Sequence, residues 1–164
     1  MNPPGRSILF VAIIGLLAMM GGIVYYASLD NDDLSMATIE LQGVELIDVN
    51  SIENRAMLKV TFLVANPGEV TVTVPVISYR LFADGSEIGN GAYSTEDVAM
   101  PGRAAFYPDA EIPLKNKITI VMSEMSETVY NKIVSGQIVQ YSATGQMTVE
   151  SAWSIVELDF DTSS

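Results

Sequence analysis

Twenty carboxylates and nine methionines are the main chemically capable side chains of this 164-residue chain, which contains neither histidine nor cysteine. The missing types exclude a great deal. Without imidazole there is no Ser-His-Asp triad, no histidine general base and no histidine-ligated copper or haem. Without thiol there are no disulfides, no thiolate zinc or iron–sulfur sites and no thiol nucleophile. A Ser-Lys nucleophile with serine three residues before lysine is also missing. The residues at that spacing before Lys59, Lys115, Lys117 and Lys132 are Ala56, Ile112, Leu114 and Val129. No Gly-x-Gly-x-x-Gly or Walker pattern occurs.

Carboxylate and thioether chemistry remain. Asp97, Asp109 and Glu111 are acids that folding could bring together as a general acid and base, although their spacing fits a solvated surface equally well. Met122 and Met125 form a Met-x-x-Met pair soft enough for Cu(I). At a junction between strand and helix, the same two thioethers serve to fill a core gap. Asp30, Asp32 and Asp33 begin like a calcium loop, but Leu34 and Ser35 stand where that loop needs a ligand and a glycine. Three acids at a membrane exit form a solvated cuff. The expectation is a protein that is not an enzyme and has no cofactor or metal site. A net charge of −12 also argues against nucleic acid, whose binders need a basic footprint.

The elements that must position these residues begin with an apolar run. Ile8 to Leu29 contains 22 residues without a formal charge. As a helix this covers about 33 Å, against roughly 30 Å of bilayer hydrocarbon, so the expectation is a single transmembrane helix over 8–29. Arg6 precedes it and Asp30, Asp32 and Asp33 follow it. This asymmetry keeps residues 1–7 as a cytoplasmic stub and sends the C-terminal domain to the extracytoplasmic side of the cell membrane. Arg6 is the one charged side chain before the span, which leaves seven basic and twenty acidic residues beyond it, a net −13. A cleaved signal peptide is the competing reading, with Ala27 and Ser28 as small residues for a peptidase. The run exceeds the usual h-region, which favours an anchor. Gly15, Ala18 and Gly22 share one helix face, a candidate packing surface toward a second membrane helix in a homodimer or a larger complex. Glycine and alanine are also ordinary residues of any membrane helix.

Residues 30–36 read as an acidic linker, 37–161 as the folded domain and 162–164 as a tail. Beyond the linker the hydrophobic period is mostly two. Leu58, Val60, Phe62 and Val64 alternate with Met57, Lys59, Thr61 and Leu63, as in a half-buried strand. Asn66-Pro67-Gly68 ends it with turn chemistry. Val70–Val74 alternates again, and Pro75 marks a kink, an edge or a change of strand. Ile77, Tyr79 and Leu81 share a face, and Asp84-Gly85 signals a tight hairpin. Further strands are expected at Ala104–Ile112, Lys117–Met122, Ile138–Val149 and Trp153–Phe160. Such spacing argues for an antiparallel sandwich. In Glu124–Ser135 the apolar period changes to that of a helix, with Ser123 as its cap and Gly136 as its stop.

In this order the residues resemble the LEA type 2 family, also called the WHy (water stress and hypersensitive response) domain. The resemblance runs through Val60-Thr61-Phe62-Leu63-Val64-Ala65-Asn66-Pro67, Val74-Pro75-Val76, Tyr79-Arg80-Leu81-Phe82-Ala83-Asp84-Gly85 and Ile88-Gly89-Asn90-Gly91. The late helix, Gly136, Tyr141 and Gly145 follow in the order the family shows, so about residues 37–160 are covered. The resemblance implies a mostly β protein: a fibronectin-III-like β-sandwich with one short late helix, behind a single N-terminal membrane anchor in many relatives. It also implies a prokaryotic, archaeal source. No catalytic residue is carried over, and Asn66 and Pro67 are read as a structural turn. The function expected is that of a structural or interaction protein. It would serve as an accessory subunit of a membrane complex or as a stress-protective factor. The alternative is a module that binds lipid or another apolar ligand at the outer membrane surface.

Overall fold

The computed structural model describes residues 4–28, 30–95 and 105–164. A helix, α1 (Pro4–Ser28), is followed by a short helix, α2 (Asp30–Leu34). Eight strands follow: β1 (Thr38–Asn50), β2 (Arg55–Asn66), β3 (Val72–Ala83), β4 (Ser86–Ser94), β5 (Ala105–Phe106), β6 (Ala110–Val121), β7 (Tyr141–Glu150) and β8 (Ile155–Ser163). A 3-10 turn at Met122–Glu124 and a helix, α3 (Glu127–Val134), lie between β6 and β7. The protein is mostly β, as the alternation predicts.

The strands form two antiparallel sheets, one ordered β1-β2-β6 and the other β4-β3-β7-β8 with β5 on β3. Strand β2 lies at the centre of the smaller sheet, and its alternate residues Leu58, Val60, Phe62 and Val64 are buried. They meet Ile77, Tyr79 and Leu81 of β3 and Ala143, Met147 and Val149 of β7 in one continuous core. The Phe62 ring packs edge-on against Tyr79 at 4.8 Å and Phe160 at 5.8 Å between centroids. Such edge contacts add about 0.5–1.5 kcal/mol each to the burial itself. Hydrogen bonds from side chains close both open edges. The Leu41 N–H, at a bulge in β1, donates to Thr162 Oγ1 of β8 at 3.0 Å. Asn116 Nδ2 of β6 donates to Ala92 O of β4 at 2.9 Å and to the Tyr79 hydroxyl at 3.0 Å.

Several boundaries differ from the sequence reading. Strand β1 carries no clean period of two, because register shifts at Leu41/Gly43 and Leu46/Asp48 turn its side chains out of step. Val72–Ala83 is one strand, with the irregularity at Pro75 appearing as a register shift between Thr73 and Val76 against β7. The stretch expected as two strands, 104–112 and 117–122, divides at a turn over Tyr107–Ala110, after which β6 runs unbroken through Pro113. Proline is tolerated there because β6 is an edge strand. The late helix starts at Glu127 rather than Glu124, so Ser126, not Ser123, is its N-cap residue. Its end is as expected. Gly136 takes φ +72°, its N–H reaches Ile133 O, and Gln137 N–H reaches Lys132 O, the two bonds of a Schellman ending.

Candidate functional site

Helix α1 is long and apolar enough to cross a membrane. Its side chains over Ser7–Tyr26 are exposed along the helix, which sets them apart from a protein core. The segment 30–36, expected as a polar linker, includes a helical turn whose last residue, Leu34, is 0% exposed in the sandwich core. Two further contacts fasten this turn. The Ser154 hydroxyl donates to Asn31 Oδ1. The Asp33 carbonyl oxygen lies so close to Gly68 that an added Cβ would come within 3.0 Å of it. Helix α2, which follows the apolar helix in the sequence, is thus tied into the folded domain at the end where the β2–β3 and β7–β8 turns lie.

Asn66 organises that end. Its side chain is buried, at 1% exposure. Nδ2 donates to Val70 O at 2.9 Å and to Phe106 O at 3.0 Å, while Oδ1 accepts from Gly68 N–H at 3.2 Å. Its main-chain oxygen accepts from Asp109 N–H at 2.8 Å. The side-chain amide therefore joins the β2–β3 turn to β5, and the main-chain oxygen holds the turn that leads into β6. Pro67 follows β2 directly, where its missing N–H costs no ladder bond.

The other residues singled out by type are dispersed. Asp109 and Glu111 are exposed and border one shallow depression of about 230 Å³ with Ala65, Asn66 and Pro67. Asp97 lies outside the described residues. Met122 and Met125 flank the 3-10 turn and pack, half-buried, against the core. Asp32 and Asp33 belong to α2. Among the described residues no three acids cluster as metal ligands would. On α1, Gly22 lines a groove of about 450 Å³ with Met19, Ile23, Tyr26 and Trp153, whereas Gly15 and Ala18 do not border it. A Cβ added at Gly15 or Gly22 would meet nothing within 4 Å.

A depression that sequence reasoning missed lies on the outer face of the larger sheet, about 830 Å³ and widely open. Cross-strand register sets its floor: Ala92, Ser78, Gln146 and Asp159 in one row, then Asn90, Arg80 and Thr144 in the next. Gln146 Nε2 donates to Asp159 Oδ1 at 2.9 Å. Arg80 stacks at 5.9 Å over the ring of Phe82. The Thr144 hydroxyl is buried without a hydrogen-bond partner. Beneath this face Tyr79 points into the core, and burial pushes its phenol up to about 12 against the opposing pull of the Asn116 hydrogen bond. The register rule that brings these rows together links residues some 65 positions apart, so no local motif announces them.

At the opposite end, α3 covers the sandwich with Val129, Tyr130 and Ile133. Lys132 Nζ binds Asp84 Oδ2 at 2.8 Å, and Gln140 N–H donates to Asp84 Oδ1 at 3.1 Å. The Lys132 hydrogen bond, then the Gln140 amide, hold the Asp84 carboxyl below its usual range.

No protein-family model and no curated protein matches the chain. Solved structures do. A protein from Arabidopsis thaliana shares 16% identity over 77% of this chain and 79% of that one, with a TM-score of 0.52. A protein from Archaeoglobus fulgidus shares 16% identity over 76% and 94%, with a TM-score of 0.45. A protein described as late embryogenesis abundant shares 8% identity over 96% and 88%, with a TM-score of 0.39. At these identities the likeness is one of fold.

Proposed function

We propose that this protein is a membrane-anchored, extracytoplasmic β-sandwich of the LEA type 2 kind that acts as a structural and interaction protein, holding a partner at the outer membrane surface. The observation that carries this reading is the docking of α2, which follows the apolar helix in the sequence, onto the domain: Leu34 buried in the core, Asn31 bonded to Ser154, and Asp33 packed on Gly68. A flexible tether would leave the domain free of its anchor. A docked turn directly after the anchor keeps the domain close to the bilayer, which suits a scaffold.

The interior supports the same reading. Leu58, Val60, Phe62, Ile77, Leu81 and Met147 are fully buried and fill the space between the sheets. The larger depressions described above open on the surface, and a ligand held between sheets would need an enclosed apolar space. Arg6 before the uncharged run and Asp32 and Asp33 after it support an N-terminus in the cytoplasm. The small residues Gly15 and Ala18, outside the groove that Gly22 shares with Trp153, suit a second membrane helix, from another copy or another subunit.

Crosslinking in intact membranes, followed by identification of neighbours, tests the proposal. A reproducible crosslinked partner, or a homodimer weakened by Gly15→Leu with Ala18→Leu, is expected. A chain that stays monomeric in mild detergent and crosslinks to nothing would overturn it.

A further inference from the structure

The turn between β7 and β8 is built as a rigid loop with an apolar tip. Ser151 Oγ accepts the N–H groups of Trp153 at 3.2 Å and Ser154 at 3.1 Å, and Ser151 N–H donates to Ser154 O at 2.8 Å. These bonds fix the backbone and point the only tryptophan of the chain outward, where it is 70% exposed. Ile155, two residues on, is 65% exposed. From Ser151 to Ile155 the turn carries no charge. In water two large apolar groups held exposed on an ordered turn are unfavourable, since their surface gains by leaving water.

Their place along α1 gives them another solvent. Trp153 shares an apolar groove with Met19, Gly22, Ile23 and Tyr26. Those residues lie three to ten positions inside the end of the uncharged run at Leu29. At 1.5 Å per residue this places the indole about 5–15 Å below the level where Asp30, Asp32 and Asp33 require water. Trp153 cannot border that groove and remain above the bilayer. Indole, with an apolar body and one N–H, suits the boundary between headgroup and acyl chain.

We infer that the β7–β8 turn is a second membrane contact: Trp153 and Ile155 enter the outer leaflet beside α1 and seat the sandwich on the lipid surface. The partner is the bilayer itself, met through apolar contact, because the turn bears no cation for acidic headgroups. Gly22 then borders the same groove as an indole of its own chain, while Gly15 and Ala18 lie outside it and stay open to other helices. This inference rests on the anchoring proposed above.

The full chain, reconstituted into phosphatidylcholine nanodiscs, allows a direct test because Trp153 is its sole indole. Discs whose acyl chains carry bromine near the headgroup should quench well over about half of the emission, whereas aqueous iodide should quench little. Co-elution of the chain with the discs, lost when Gly15 to Leu17 are replaced by aspartate, reports anchoring separately. Co-elution with emission open to iodide and untouched by bromine would overturn the insertion and leave the anchor standing. Failure to co-elute at all would overturn both. As a second reading that does not use the indole, a spin label at Ile155→Cys should respond to oxygen more than to a water-soluble nickel complex. The reverse preference would also overturn the insertion.

Discussion

Replacing Asn66 should be among the most costly polar substitutions in the domain, and the cost should depend on pH in a direction set by what is put in its place. The amide donates to two carbonyl oxygens, Val70 O and Phe106 O, and accepts one N–H from Gly68, all at a site with 1% exposure. Asn66→Ala removes three hydrogen bonds of about 1 kcal/mol net each and leaves their partners buried, so a loss of about 3 kcal/mol is expected. For a domain of this size that lowers the melting temperature by about 10 °C. Asn66→Asp keeps the shape but turns the donor edge into oxygen facing two carbonyl oxygens. Burial and those oxygens disfavour the charged form, so the new carboxyl is held above its ordinary value of about 4. A raised folded value means that the relative stability is greatest below the unfolded value and is lost as pH rises through the folded one. The deficit against the parent should therefore be small near pH 4 and larger than that of Asn66→Ala near pH 8. Urea unfolding of the detergent-solubilised chain, followed by circular dichroism at both pH values, measures it. A loss under about 1 kcal/mol for Asn66→Ala, or an Asn66→Asp deficit equal at the two pH values, would refute the reasoning.

Three further substitutions probe other parts of the fold. A Cβ at Gly145 would fall 2.1 Å from Ser78 O and 2.8 Å from Tyr79 Cα. Gly145→Ala should therefore push β7 off β3 and cost about 3 kcal/mol or more, with retained parent stability counting against this close approach. Gly85→Ala, where open space surrounds the site but φ is +78°, should cost only about 1 kcal/mol in the same denaturation assay. Asp84, held below its usual range by Lys132 and the Gln140 amide, contributes stability that is present at neutral pH and lost as pH falls through its lowered value. Carboxyl NMR should show that lowered titration in the parent and its return toward the ordinary range in Lys132→Met; unchanged titration would deny the contact.

The periodic elements were legible in advance. Leu58, Val60, Phe62 and Val64 have a period of two because one face of β2 meets a second sheet, and that requirement is written locally. Asp84-Gly85 marks its hairpin for a similar reason: both residues take positive φ, at 49° and 78°, and few residue types do so cheaply. Strand β1 was not legible, since its two register shifts break the alternation that would have revealed it. The role of Asn66 was legible as a turn. Its hold on Phe106, forty residues away, was not.

The sequence alone therefore determined what depends on near neighbours. The length and apolarity of the N-terminal helix follow from 22 uncharged residues. The strand character of the domain follows from alternation, and the absence of thiol and imidazole chemistry follows from composition. The tertiary structure decided what depends on chain segments meeting. It converted an expected linker into a docked turn by burying Leu34, and it brought Trp153 beside Met19 and Tyr26, more than 120 residues earlier. It also laid Arg80 between Asn90 and Thr144 on the outer face of a sheet. Local pattern records which face of a strand is apolar. Which faces then meet is set by the packing of the whole core, and that is a property of no single segment.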